Sequence, residues 1–152
     1  MKADPRRRLS VEQVEPARTL ALRRAVLRPH QSLAEIATET GLPGTFAVAA
    51  LLDGVVTCCA IALPEPSPDF PDRDGSWRLR GMATAPEHRS EGLGAMVLDR
   101  IVDEVRSRGA SLLWCNARLR AQAFYERAGF AVIGEGWDDP TIGPHQRMWR
   151  AT

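Results

Sequence analysis

The sequence has almost no net charge and no targeting segment. Its 152 residues carry 20 basic and 19 acidic side chains, a formal net charge of +1, so no strong positive field draws it to nucleic acid or anionic membranes. The one local excess of positive charge, Arg6 to Arg8, falls near the start of the chain. We therefore expect a flexible N-terminus at residues 1–8, one domain at 9–152, and neither nucleic acid nor membrane as a partner.

Cysteine is scarce, and its spacing is typical of neither a disulfide framework nor a zinc site. Cys58, Cys59 and Cys115 form neither a C-x-x-C pair nor a metal-binding pattern with histidine, which argues against a disulfide framework or a zinc site. The basic start of the chain is not followed by the apolar segment of a secretory signal. We expect buried, reduced thiols, no bound metal and a cytoplasmic location.

Only one apolar run, residues 46–63, is long enough to suggest a membrane span. Its centre is Asp53-Gly54, a dipeptide that favours a two-residue hairpin turn. Its flanks are rich in Val, Ile, Thr and Cys, most of which favour strands. The run therefore predicts two antiparallel strands, 46–52 and 55–63.

Hydrophobic periodicity predicts strands and helices in an order typical of an α/β sheet protein. The clearest helix covers 92–108, with an apolar stripe and Gly109 directly after it. The other predicted elements are strands at 9–14, 76–84, 111–115, 130–134 and 146–149, helices at 17–28, 32–40 and 118–128, and loops at 64–75 and 135–145. In the helix at 17–28, the expected buried residues are Leu20, Ala21, Val26 and Leu27. We expect a single-domain α/β fold, a mixed sheet with flanking helices.

The segment from Arg89 to Ala95 joins a predicted strand to the clearest helix. Backbone N–H groups in the first turn of a helix lack intrahelical partners and lie at the positive end of its dipole. Gly92 and Gly94 remove Cβ atoms, so an anion can approach those groups closely. Arg89 adds forked donors suited to phosphate oxygens. The segment predicts a binding site for a phosphate-bearing ligand, although glycines that form a tight turn without any ligand would give the same pattern.

Two other phosphate-binding motifs do not fit this segment. A nucleotide P-loop requires G-K-[ST], which is absent. A dinucleotide fingerprint requires a small residue where Val97 stands and an acidic residue at the end of the next strand, which ends in Cys115-Asn116 instead.

Two ordered motifs resemble the GNAT (Gcn5-related) N-acetyltransferases. Arg89, Gly92 and Gly94 fill that family's acetyl-coenzyme-A pattern, [RQ]-x-x-G-x-[GA], and residues 124–130 (FYERAGF) resemble its late [LF]-Y-[EK]-x-x-G-F motif. The resemblance covers about residues 9–150, with a faint similarity to the ElaA-like branch near the end. It implies the acyl-CoA N-acyltransferase fold, whose mixed sheet is mostly antiparallel.

The resemblance also implies roles for particular residues. Backbone groups of Met82, Ala83 and Thr84 would bind the pantetheine arm of the coenzyme. The loop that would hold the diphosphate consists of Arg89, Ser90, Glu91, Gly92, Leu93, Gly94 and Ala95. Tyr125, the only tyrosine in the chain, would protonate the departing thiolate, a transfer that a phenol can make. The alternative for Tyr125 is an amphipathic core aromatic whose hydroxyl reaches the surface.

Some positions depart from the family pattern. Many members have an asparagine seven residues before the tyrosine, where this chain has Arg118, while Asn116 lies two residues earlier; both are candidates for coenzyme contact. Phe124 is assigned to the same site, mainly through packing. The predicted strand at 76–84 has no carboxylate to act as a base, so the acceptor amine would lose its proton to water or to a residue elsewhere.

Two features near the C-terminus are candidates for the acceptor side of the site. His145 could serve as the base because imidazole titrates near neutral pH, or it could simply anchor its loop. Asp138 and Asp139 could give the rim of the acceptor pocket a negative charge suited to a cationic amine, or they could form a solvated turn.

The sequence thus predicts an acetyl-CoA-dependent N-acetyltransferase that passes the acetyl group directly to a primary amine of a small molecule or peptide. The alternatives are an acyl-CoA-binding sensor without turnover and an interaction module whose glycines serve packing only. A homodimer is possible, since apolar residues suit a dimer face as well as a core.

Overall fold

The computed structural model describes residues 8–152, so the predicted flexible N-terminus lies outside the described residues except for Arg8. The strands are β1 (Leu9–Val14), β2 (Phe46–Leu52), β3 (Val55–Pro64), β4 (Ser76–Thr84), β5 (Leu112–Arg118), β6 (Ala131–Asp139) and β7 (Gly143–Ala151). The helices are α1 (Leu20–Leu27), α2 (Leu33–Thr40), α3 (Leu93–Ser107) and α4 (Gln122–Arg127).

Seven strands form one sheet in the order β1-β2-β3-β4-β5-β7-β6. β4 and β5 run parallel, whereas the pairs β1–β2, β2–β3, β5–β7 and β6–β7 are antiparallel. The predicted fold class, a mixed and mostly antiparallel sheet with flanking helices, is confirmed.

The chain divides into two units. The first combines the chain up to Leu63 with Gly81–Ile101, and the second combines Pro64–Arg80 with Val102–Thr152. β4 and α3 each contribute residues to both units, and the predicted site residues are likewise divided between them.

The β2–β3 hairpin forms the centre of the first unit. Asp53 and Gly54 both have positive φ, 51° and 81°, as a type I′ turn requires, and this confirms the predicted hairpin. The side chains of β2 are buried except for Leu52. Its inward face packs with β1, β3 and β4 in a core of Val14, Ala47, Ala49, Leu51, Cys59, Ile61 and Ala83.

The two early helices differ in how well the sequence predicts them. α2 begins as expected after Ser32, which forms a reciprocal capping box with Glu35. The helix predicted at 17–28 is instead a 3₁₀ turn over Pro16–Thr19 followed by the short α1. Ala21 is exposed rather than buried, and the buried residue of α1 is Arg23. The apolar pattern alone did not indicate that a cation would face inward.

A proline-rich loop, residues 65–75, is held to the second unit by polar and aromatic contacts. Glu65 pairs with Arg78 at 2.9 Å, and its carbonyl oxygen accepts a hydrogen bond from the Trp114 indole at 3.0 Å. Asp69 pairs with Arg147 at 3.2 Å. The predicted surface loop is therefore an ordered part of this unit.

The C-terminal segment requires a correction. The predicted loop at 135–145 is mostly strand, because β6 extends to Asp139 and β7 begins at Gly143. The pairing of β6 with β7 is irregular between Ile133 and Trp137. The helix predicted at 118–128 is also shorter: after β5 a 3₁₀ turn covers Leu119–Ala121, and α4 occupies only Gln122–Arg127.

Candidate active site

The segment before α3 has an unusual backbone conformation. Ser90 and Gly92 have φ values of 64° and 79°, in the left-handed region that glycine tolerates best. The Met96 N–H donates to the Gly92 carbonyl oxygen at 3.2 Å, so α3 begins directly after Gly92. These two left-handed residues turn the chain sharply into the helix.

The start of α3 has the features of an anion-binding site. The N–H groups of Leu93, Gly94 and Ala95 come before the first possible intrahelical acceptor, and the helix dipole is positive there. Among residues 8–152, no heavy atom lies within 4 Å of the position that a Cβ on Gly92 would occupy, so these residues leave this approach open. Arg89 is exposed. This geometry fits the diphosphate of a coenzyme.

A histidine–glutamate pair lies within the same loop. The Nδ1 atom of His88 is 3.1 Å from one carboxylate oxygen of Glu91 and 3.4 Å from the other. The negative charge of Glu91 is therefore held beside an imidazole.

The final part of β4 extends beyond its ladder with β5. Parallel pairing joins Ser76–Arg78 to Leu112–Trp114, whereas β4 continues to Thr84. Backbone groups of Met82, Ala83 and Thr84 are therefore not used by that ladder. The side chains of Met82 and Thr84 are half-buried, and Ala83 is buried. This arrangement suits main-chain hydrogen bonding to an extended ligand.

A buried arginine that the sequence reasoning missed contacts β4. Arg23 is 2% exposed, and its Nη2 atom donates to a Glu39 carboxylate oxygen at 2.9 Å. Its Nε atom lies 2.4 Å from the position that a Cβ on Gly81 would occupy, and Gly81 has a φ of 62°. Burial lowers the pKa of Arg23, and the nearby Glu39 carboxylate opposes this effect. One sequence signal could have indicated its burial: Arg23 lies between Leu20 and Leu27 on the apolar stripe of α1.

In the second unit, Tyr125 lies on α4 among aromatic side chains. It is 6% exposed, and its ring makes edge-on contacts with Phe124 at 5.1 Å and Phe130 at 5.4 Å between centroids. These contacts fix the ring and so orient the phenol. Phe124 is half-buried, in line with a packing role.

The remaining candidates of the second unit lie on β5 and the β6–β7 hairpin. Asn116 is exposed and Arg118 is half-buried; Arg118 pairs with His145 in the β5–β7 ladder. His145 is buried, its Nδ1–H donates to the Gly143 carbonyl oxygen at 2.8 Å, and its ring stacks on Trp137. These contacts favour the anchoring role over that of a base.

The adjacent aspartates lie at the turn between β6 and β7. One Asp139 carboxylate oxygen accepts hydrogen bonds from the N–H groups of Thr141 and Ile142, at 2.8 and 3.1 Å. Asp138 is exposed. For Asp139, these bonds favour the turn-forming alternative.

The three cysteines are buried free thiols, as predicted. Burial raises the pKa of Cys58 and raises those of Cys59 and Cys115 to about 12. Within residues 8–152, no group of three or more His, Cys, Asp or Glu side chains is arranged to hold a metal ion. No helix in the same range is long and apolar enough to cross a membrane.

A family model for the GNAT acetyltransferases matches residues 13–130. The chain belongs to the GNAT family. It is similar to a Bacillus subtilis protein described as the uncharacterized N-acetyltransferase YitI, with 30% identity over 93% of this chain and 95% of that one. It also matches the [ribosomal protein bS18]-alanine N-acetyltransferase of Escherichia coli K12, with 36% identity over 43% of this chain and 47% of the relative.

Solved structures of other proteins have the same fold. E. coli ElaA superimposes with a TM-score of 0.76 at 16% identity, covering 94% of this chain and 99% of that one. An aminoglycoside 6′-N-acetyltransferase complexed with coenzyme A gives a TM-score of 0.74 at 16% identity, and the match covers 93% of this chain and 96% of that one. Family membership makes this GNAT protein an acyl-CoA-dependent N-acyltransferase, which favours an enzyme over a sensor or an interaction module.

Proposed function

We propose that the protein transfers an acetyl group from acetyl-CoA directly to a primary amine. The observation that carries this proposal is the start of α3, where two left-handed residues and an open Gly92 present unused N–H groups. In this proposal, the loop from Arg89 to Ala95 holds the diphosphate and backbone groups of Met82, Ala83 and Thr84 hold the pantetheine arm. Asn116, Arg118 and Phe124 are further candidates for coenzyme contact.

Acetyl-CoA supplies the acetyl group as a thioester. The amine nitrogen forms a bond to the acyl carbon, the carbon–sulfur bond breaks, and coenzyme A departs as a thiolate. The N–H groups near Met82 and Ala83 donate to the acyl oxygen, where negative charge develops during the reaction. Tyr125 donates its phenol proton to the departing sulfur. The acceptor amine attacks in its neutral form, and the positively charged nitrogen that results loses a proton to water or to a residue elsewhere.

The state of the thiols supports direct transfer. An acyl-enzyme route through cysteine needs a reactive thiolate. Burial raises the pKa of Cys59 and Cys115 to about 12, so the thiolate form is scarce at neutral pH. Direct transfer predicts intersecting initial-rate lines when both substrates are varied, whereas an acyl-enzyme would give the parallel lines of a ping-pong scheme.

Coenzyme binding and amine turnover test the proposal separately. At 100 times its dissociation constant, coenzyme A should stabilise the protein by about 2.7 kcal/mol, measured by thermal unfolding and checked by calorimetry. Acetyl-CoA consumption is then followed across amino acids, aminoglycosides and peptides with N-terminal alanine, since relatives include a bS18-alanine N-acetyltransferase. A protein that coenzyme A does not stabilise would contradict the proposed site, and stabilisation without turnover of any amine would favour the sensor alternative.

A further inference from the structure

The contact between α1 and β4 places a buried cation against the part of β4 that the proposed function assigns to the acyl group. The Arg23 side chain is 3% exposed and occupies the space where a side chain on residue 81 would lie. Gly81 directly precedes Met82, and consecutive Cα atoms are about 3.8 Å apart. The guanidinium therefore lies one residue from a proposed donor to the acyl oxygen.

The charge of Arg23 is only partly compensated. One nitrogen, Nη2, pairs with Glu39, whose side chain is 30% exposed. The Nε and Nη1 atoms are buried and have no hydrogen-bond acceptor among the described residues. Because solvent screens the partly exposed carboxylate more than the buried guanidinium, a positive potential remains on the β4 side.

We propose that Arg23 is a positioning residue that polarises the bound thioester through its contact with β4. Its guanidinium packs on Gly81, holds the left-handed turn of the backbone there, and favours negative charge on the acyl oxygen near Met82. Glu39 tethers the guanidinium and is not required for the polarisation. This inference rests on the proposed function, because it assumes that the acyl group binds along β4.

A matched pair of variants separates charge from structure. Arg23→Met and Glu39→Gln both break the same ion pair, but only Arg23→Met removes the buried cation. We expect Arg23→Met to lower kcat at least about tenfold, with coenzyme A affinity within about twofold because the diphosphate loop is unchanged. Glu39→Gln should keep kcat within about threefold of the parent enzyme. Arg23→Lys, which keeps the charge, should recover a large part of the loss.

Infrared difference spectra of bound acetyl-CoA, labelled with 13C at the carbonyl and recorded without acceptor, give a readout independent of turnover. Loss of polarisation in Arg23→Met should move the carbonyl stretching band to higher frequency, while the band in Glu39→Gln should not move upward. Equal effects of the two variants on kcat and on this band would overturn the inference and leave a purely structural ion pair. Should Arg23→Met fail to fold, Arg23→Gln, which also removes the cation, takes its place, and a kcat and carbonyl band equal to those of Glu39→Gln would overturn the inference in the same way.

A parent protein that neither binds coenzyme A nor acetylates any amine would instead contradict the proposed function. The two failures are therefore distinguishable.

Discussion

At the scale of single residues, the contacts around Tyr125 separate its hydroxyl from its ring. The ring packs edge-on against Phe124 and Phe130, and these contacts survive when only the oxygen is removed. Any chemistry of the hydroxyl can therefore be tested with little change in packing.

We predict that Tyr125→Phe lowers kcat by about 10²-fold or more, the usual contribution of a general acid, with coenzyme A affinity unchanged within about twofold. Steady-state kinetics and calorimetry measure the two effects. Phe130→Leu is the control, since it alters the other ring packed on Tyr125 and keeps the phenol. Full activity of Tyr125→Phe would remove the phenol from the mechanism.

Gly81 is a second residue whose identity the structure explains. An L-residue at its φ of 62° is strained, and a Cβ atom would lie 2.4 Å from the Arg23 Nε atom. Gly109 has a φ of 87°, and no described residue lies within 4 Å of its Cβ position. A side chain there would be strained but would not contact a neighbour.

Replacement of each glycine by alanine should therefore give different losses of stability. We expect Gly109→Ala to cost about 1 kcal/mol from the left-handed backbone alone, and Gly81→Ala to cost about 3 kcal/mol because overpacking adds to it. Urea unfolding of both variants measures the difference. Equal losses would mean that the Arg23 side chain moves aside freely.

At the scale of elements, the loop and first turn of α3 act together. The left-handed Ser90 and Gly92 direct the chain into the helix, and the helix provides its N–H groups and dipole. Neither the loop nor the helix alone would form the proposed diphosphate site.

A side chain at position 92 should block this site without disturbing the protein core. Because a Cβ on Gly92 meets no atom within 4 Å in the part of the chain that the structure describes, Gly92→Leu should cost only the strain of its φ, about 1–2 kcal/mol. Coenzyme A affinity should fall at least about tenfold, because the side chain occupies the path of the diphosphate. Calorimetry measures the affinity, with Gly109→Leu as a control for left-handed strain. Unchanged affinity would place the phosphate site elsewhere.

At the scale of the whole molecule, the buried thiols couple stability to pH. Burial raises the pKa of Cys59 and Cys115 from 9.0 to about 12. Above pH 9 the unfolded chain loses these protons while the folded protein keeps them, so the unfolded state binds fewer protons and stability falls as pH rises. The stabilisation is complete below pH 9 and is lost toward pH 12.

We predict that the free energy of unfolding declines from about pH 9 upward, and that Cys115→Ala declines less steeply than the parent. Urea unfolding at a series of pH values measures both slopes. His30→Ala is the control, since it removes an exposed side chain and leaves every buried thiol in place. Equal slopes for the parent and Cys115→Ala would show that the Cys115 thiol does not contribute to the pH dependence of stability.

Local chemistry explains which elements the sequence alone could predict. The β2–β3 hairpin follows from Asp53-Gly54, α2 from the cap at Ser32, and α3 from its apolar stripe, and each signal lies within a few residues of its effect. The loop at the start of α3 is predictable for the same reason, since glycine spacing and helix dipole are local properties. These signals were sufficient for the fold class and for the family resemblance.

Only the tertiary structure decided the features that depend on residues distant in sequence. An arginine on a short helix is typical of the surface, and Arg23 is buried only because the fold places Glu39 and Gly81 against it. The extension of β6 to Asp139 likewise requires the partner strand β7. A buried charge is stable only beside a partner and a strand only beside a neighbour, so the sequence of its own segment does not decide either feature.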